Sequence, residues 1–153
     1  MSDVTTVGGS VETELARDTG NAILKSFAED TRASRIVGML SYTATLLLIN
    51  RGTSGFQVLL NEYFNQSPGK PSNFRESEAF GEFLRKQKLS DAHLYEVMDF
   101  ELGLMRMHAN SLRSIVRFGS DPGTLFTALA KGRLPAETAP GEFQVVLDPR
   151  TRG

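Results

Sequence analysis

The spacing of apolar residues changes period near residue 110, and that change limits the chain to a helical body followed by a small piece of sheet. From Ser54 to Gln66, residues Phe56, Leu59, Leu60, Tyr63 and Phe64 fall on one arc, with Asn61, Glu62 and Asn65 opposite. This is the roughly 3.6-residue period of an amphipathic helix. Beyond His108 the period is two. Leu112, Ser114, Val116 and Phe118 alternate with Arg113, Ile115 and Arg117, and later Phe143, Val145 and Leu147 alternate with Glu142, Gln144 and Val146. Such alternation belongs to strands. The fold class that follows is α+β, mostly helical, with a small strand–helix–strand element at its end.

Punctuating residues set the boundaries. A helical segment over Asn21–Ala28 precedes a longer one over Thr31–Asn50, which is apolar on nearly all sides and therefore central. Arg51-Gly52 ends it. The run Ser67-Pro68-Gly69-Lys70-Pro71 is a loop by composition. Ser72 or Asn73 caps a helix through Lys88, whose apolar face is Ala79, Phe80, Phe83 and Leu84. Ser90 stands where it would cap a helix over Asp91–His108. Asp121-Pro122 starts another, because Asp caps free amides and Pro at the first helical position forfeits no bond. That helix stops near Gly132, and Pro149 closes the second strand. The expected organisation is a mobile arm over 1–20, a helical body over 21–108, a strand–helix–strand element over 109–148 and a tail over 149–153.

Composition narrows the function classes. The 153 residues carry 17 basic and 18 acidic side chains, a net charge of -1, which does not suit a protein that coats nucleic acid. Cysteine is absent, so thiolate zinc sites, disulfides and cysteine nucleophiles are excluded together. The first ten residues have neither a basic nor an apolar segment of a secretory signal, and a cytoplasmic location is expected. The most apolar stretch, Ile36 to Ile49, falls short of the roughly 20 residues that span a bilayer. Membrane contact is not expected.

Candidate chemistry is sparse. No G-x-S-x-G elbow occurs, and the glycines form no phosphate-cradling loop followed by Lys-Ser or Lys-Thr. His93 and His108 lie on different faces of one helix, so they do not converge on an ion. On that helix Glu96, Asp99, Gly103 and Arg106 form a polar stripe, while Leu94, Val97, Met98, Leu104 and Met105 lie opposite. Glu101 and His108 fall inside the apolar arc. A carboxylate there needs a partner, because an uncompensated buried charge is costly or forces protonation. Either an arginine or tyrosine from another helix neutralises Glu101, or this face, with Glu101 and His108, is an interface to a partner protein. Arg113 and Arg117 project from one strand face and, with Lys131 and Arg133, form a candidate anion-binding patch. With no residue set able to perform chemistry alone, the chain is expected to work by binding another macromolecule.

The last third resembles a known group. The run Leu94-Tyr95-Glu96-Val97-Met98-Asp99-Phe100-Glu101-Leu102, the Asp121-Pro122 helix ending at Gly132 and the strand Phe143-Gln144-Val145-Val146-Leu147-Asp148 are similar to small partner subunits of TIM-barrel, multinuclear-iron enzymes. Those enzymes modify cysteines in ribosomally made peptides, in methanobactin and 3-thiaglutamate biosynthesis. The likeness is nearer the second, in which the β-carbon of a C-terminal cysteine on a carrier peptide is excised. The resemblance spans Ser90 to Asp148. It implies a C-terminal recognition element of winged-helix type, to whose sheet the carrier peptide adds a strand, and two strand signals are present where a winged helix has three. It also implies that iron belongs to the partner enzyme, with no cofactor in this chain. The peptide would dock on the strands and the helix beside them, through Arg113, Ile115, Arg117, Leu125, Leu129, Arg133, Phe143 and Val145. A winged-helix DNA-binding regulator is the alternative, and the single basic residue at the end of the Asp121–Lys131 helix weighs against it.

Overall fold

The computed structural model describes residues 30–150; the expected arm over 1–20, the segment Asn21–Ala28 and the last residues of the tail lie outside them. Among the described residues, five helices and one small sheet follow in chain order. Helix α1 covers residues 30–39, and α2 is Ser41–Gln66. Next come α3 (Asn73–Gln87), α4 (Leu94–Asn110), β1 (Ser114–Ser120), α5 (Pro122–Ala130) and β2 (Pro140–Leu147). The α+β, mostly helical class read from the apolar periods is the class of the structure. None of the described helices is long and apolar enough to cross a membrane.

Local chemistry explains most boundaries. Gly52 takes φ 73°, a left-handed value natural to glycine, and bends α2 where the sequence placed a helix end. Ser72 accepts a hydrogen bond from the Arg75 N–H at 3.1 Å and starts α3, which closes on Lys88 in the left-handed region. Asp121 accepts from the Gly123 N–H at 3.1 Å with Pro122 at the first helical position. Two boundaries differ from the sequence reading. The expected Thr31–Asn50 helix breaks at Leu40, whose φ and ψ are -114° and 52°. Helix α4 begins at Leu94, not Asp91, and Ser90 does not cap it. His93 is the residue before its first turn, at φ 66°.

Helix α4 is the central element, touching α2, α3 and both strands. Small residues let its neighbours close in. A Cβ on Gly81 of α3 would come within 2.9 Å of Leu102, and one on Gly103 within 2.7 Å of Leu147. Gly103 therefore belongs to the packed side of α4 rather than to the polar stripe that its spacing suggested. Arg51 is bound to both Asp91 oxygens, at 3.0 and 2.7 Å, fastening α2 to the turn before α4.

The strands pair antiparallel, Val116 opposite Val145 and Phe118 opposite Phe143, with a bulge between Phe118 and Ser120. The Gly119 N–H in that bulge donates to Glu96 of α4 at 2.5 Å. Phe126 of α5 packs on Phe100 of α4 with centroids 4.7 Å apart, on Tyr42 of α2 at 5.0 Å and on Phe118 of β1 at 5.8 Å. One hydrophobic cluster thus runs from Ile36 to Leu147 without interruption at residues 108–109.

Candidate functional site

The sheet has two faces of different character. Inward, Val116 and Phe118 are buried against the helices, while their cross-strand partners Val145 and Phe143 are only half-buried. Outward, Ile115 faces Val146 directly, and the two remain 44% and 49% exposed. Arg117 stands beside them, opposite Gln144. Among the described residues the sheet has two strands, so each has an edge without a strand partner. Such edges carry main-chain donors and acceptors that another extended segment can use.

The expected docking residues therefore divide. Ile115 and Arg117 lie on the outer face with Arg113 just before β1, and Phe143 and Val145 lie on the inner face. Leu125 and Leu129 are 0% and 2% exposed; they support α5 from within and are not available to a docked peptide, contrary to the sequence reading. Arg133 is exposed. It borders a groove of about 680 Å³ between α5 and the segment leading to β2, with Lys131, Thr124 and Glu137. Arg113 is partly committed, its Nε lying 3.5 Å from Asp148. Asp148 also accepts from the Arg150 main chain and side chain, and these bonds hold its carboxyl below the usual range. Val146, absent from the sequence-derived set, completes the outer apolar patch. Its place two residues beyond Gln144, alternating with Val145 and Leu147, was the available signal.

Glu101 and His108 are not brought together. His108 is exposed in the last turn of α4. Glu101 is buried and turned toward the start of α2, so the expectation that it lies at a partner interface does not hold. Its neutralising groups are neither arginine nor tyrosine side chains. Its carboxylate accepts the Tyr42 N–H at 2.9 Å, the Thr43 N–H at 2.8 Å and the Thr43 hydroxyl at 2.7 Å, with the Ser41 hydroxyl at 3.5 Å. The break at Leu40 frees the first amides of α2, and no side chain at the cap position takes them. Glu101 caps that helix from across the core. Burial pushes its carboxyl above the usual range, and the donated hydrogen bonds offset only part of that push.

A second buried carboxylate escaped the sequence reading. Glu76 is fully buried and bound by Arg32 through Nε at 2.8 Å and Nη2 at 3.0 Å, while the Tyr63 hydroxyl also donates to it. Burial alone would raise its carboxyl, but the Arg32 and Tyr63 hydrogen bonds and the Arg32 charge outweigh it and hold Glu76 below the usual range. Burial and Glu76 push the Tyr63 phenol up to about 12. Arg32 also stacks 4.6 Å from the centroid of Phe64. The spacing of Glu76 with Phe80 and Phe83 was the readable sign that it shares their apolar face.

Among the described residues no three His, Asp or Glu side chains are grouped to hold a metal ion. No family model, curated protein or solved structure matches the chain.

Proposed function

We propose that this chain is a non-catalytic partner subunit that binds a ribosomally made carrier peptide as an added strand and presents its cysteine to an iron-dependent modifying enzyme. The observation that carries the reading is the two-stranded sheet, with unpaired edges among the described residues and an exposed Ile115–Val146 pair on its outer face. Edge pairing gives affinity through the main chain and leaves selection to alternate side chains. The iron enzyme and the type of peptide come from the resemblance of Ser90–Asp148 to the partner subunits of TIM-barrel iron enzymes, whose recognition element is of winged-helix type. Arg113 and Arg117 would attract acidic residues flanking the paired segment at longer range, an effect that salt weakens. A DNA-binding role is less favoured, since α5 contains no Lys or Arg within Pro122–Ala130.

The test is reconstitution. If a TIM-barrel metalloenzyme and a short cysteine-bearing peptide are encoded beside this chain, the enzyme should modify the peptide only when the chain is present. Arg113→Ala and Arg117→Ala should each weaken peptide binding modestly, by about 1 kcal/mol or less, and mainly at low salt. Full modification without this chain, or modification by this chain alone, would overturn the reading.

A further inference from the structure

Which edge takes the peptide, and what sequence suits it, follows from how the two strands are covered. Helix α4 packs closely on β1 and only lightly on β2. The inner face accordingly loses cover from Val116 and Phe118 toward Val145 and Phe143. Edge strands are normally blunted by charges, prolines or bulges. From Phe143 to Leu147, β2 has neither a charge nor a proline.

We propose that the free edge of β2 takes the peptide as a third, antiparallel strand, selecting a basic side chain opposite Glu142 and apolar side chains opposite Phe143, Val145 and Val146. The inference rests on the peptide-subunit reading above. Side chains directly opposite in an antiparallel pair share a face about 5 Å apart. Apolar groups opposite Phe143 and Val145 would cover the half-buried inner strip, and one opposite Val146 would extend the outer patch. Glu142 is exposed, is the only charged residue of β2 and makes no ion pair among the described residues. Arg117 is one strand farther away, about 10 Å from an added strand, where salt largely screens it. The nearer carboxylate therefore sets the preference.

A second copy of the chain fits less well. Antiparallel self-pairing of β2 on matching faces sets Glu142 against Gln144, Val146 or another Glu142, and β2 offers no cation. The two short strands also present a strip of roughly 25 by 10 Å, well below the about 800 Å² per side of a stable dimer.

The test titrates the full chain into two labelled synthetic peptides of strand length, both apolar at the positions opposite Phe143, Val145 and Val146 and differing only by Lys or Glu opposite Glu142. Fluorescence anisotropy should show the Lys peptide binding about fivefold tighter, and Glu142→Arg should reverse the preference. Equal affinities unmoved by Glu142→Arg would overturn the selected pair while leaving edge binding intact. Failure of both peptides and of the natural carrier peptide would strike the peptide-subunit reading itself. A concentration-dependent dimer in sedimentation, abolished by Val146→Lys, would show a second copy on this edge and overturn the proposal.

Discussion

Glu101 and Glu76 are both buried carboxylates, and they shift in opposite directions because of what donates to them. Glu76 meets a guanidinium, and Glu101 meets amides and hydroxyls that carry no full charge. The pH consequences are opposite too. The Glu76 carboxyl is lowered in the fold, so its stabilisation is complete above the ordinary carboxylate range and is lost as pH falls through the lowered value. The Glu101 carboxyl is raised, so its contribution is fully present below the ordinary range and is lost as pH rises through the raised value. Urea midpoints measured from about pH 4 to about pH 7 should fall less steeply with rising pH in Glu101→Gln than in the parent chain. Glu101→Gln should also cost about 1–3 kcal/mol, since an amide NH₂ would face donors in place of an acceptor. Parallel pH profiles would contradict this account of Glu101. Glu76→Gln should cost about 3 kcal/mol or more, because it strands Arg32. A loss within experimental error would mean that the pair does not hold α1 to the body.

The helix breaks show what sequence can and cannot say about elements. Gly52 was legible because glycine both ends helices and tolerates φ 73°. The break at Leu40 was not, since it falls on a leucine while the nearby Gly38 stays helical, and its cap, Glu101, is 58 residues from Thr43 in the chain. The start of α4 was hidden for the same reason. Ser90 and Asp91 suit a helix start, but Arg51 holds the Asp91 side chain. Tyr95 fixes the preceding turn by donating to the Leu84 carbonyl at 2.7 Å while accepting the Leu89 N–H at 2.9 Å. Local patterns gave the strands and the Ser72 and Asp121 caps because those signals are satisfied within a few residues. Two glycine substitutions separate the cases. Gly52→Ala should destabilise by about 1–3 kcal/mol, because φ 73° with ψ 175° is a conformation nearly confined to glycine, whereas Gly38→Ala, helical and with open space around the added methyl, should stabilise by up to about 1 kcal/mol. Thermal midpoints shifting in the same direction would contradict that assignment.

At the scale of the whole molecule, the described helices pack into one body and the sheet lies against one side of it, with β2 the less covered strand. The continuous core explains why the strand–helix–strand element read as a separate unit in sequence: its alternation is local, whereas the Phe100, Phe118 and Phe126 contacts that bind it to the body join distant residues. The outer apolar patch was only half legible, because Ile115 and Val146 become neighbours through register, which sequence does not state. The central claim is that this molecule holds an extended peptide along β2, and amide hydrogen exchange of the full chain with and without the proposed carrier peptide tests it most directly. New protection should appear at alternate amides of Pro140–Leu147 that lack partners in the free chain, with α1 to α4 unchanged. Protection confined to the helical body, with none along β2, would contradict the claim.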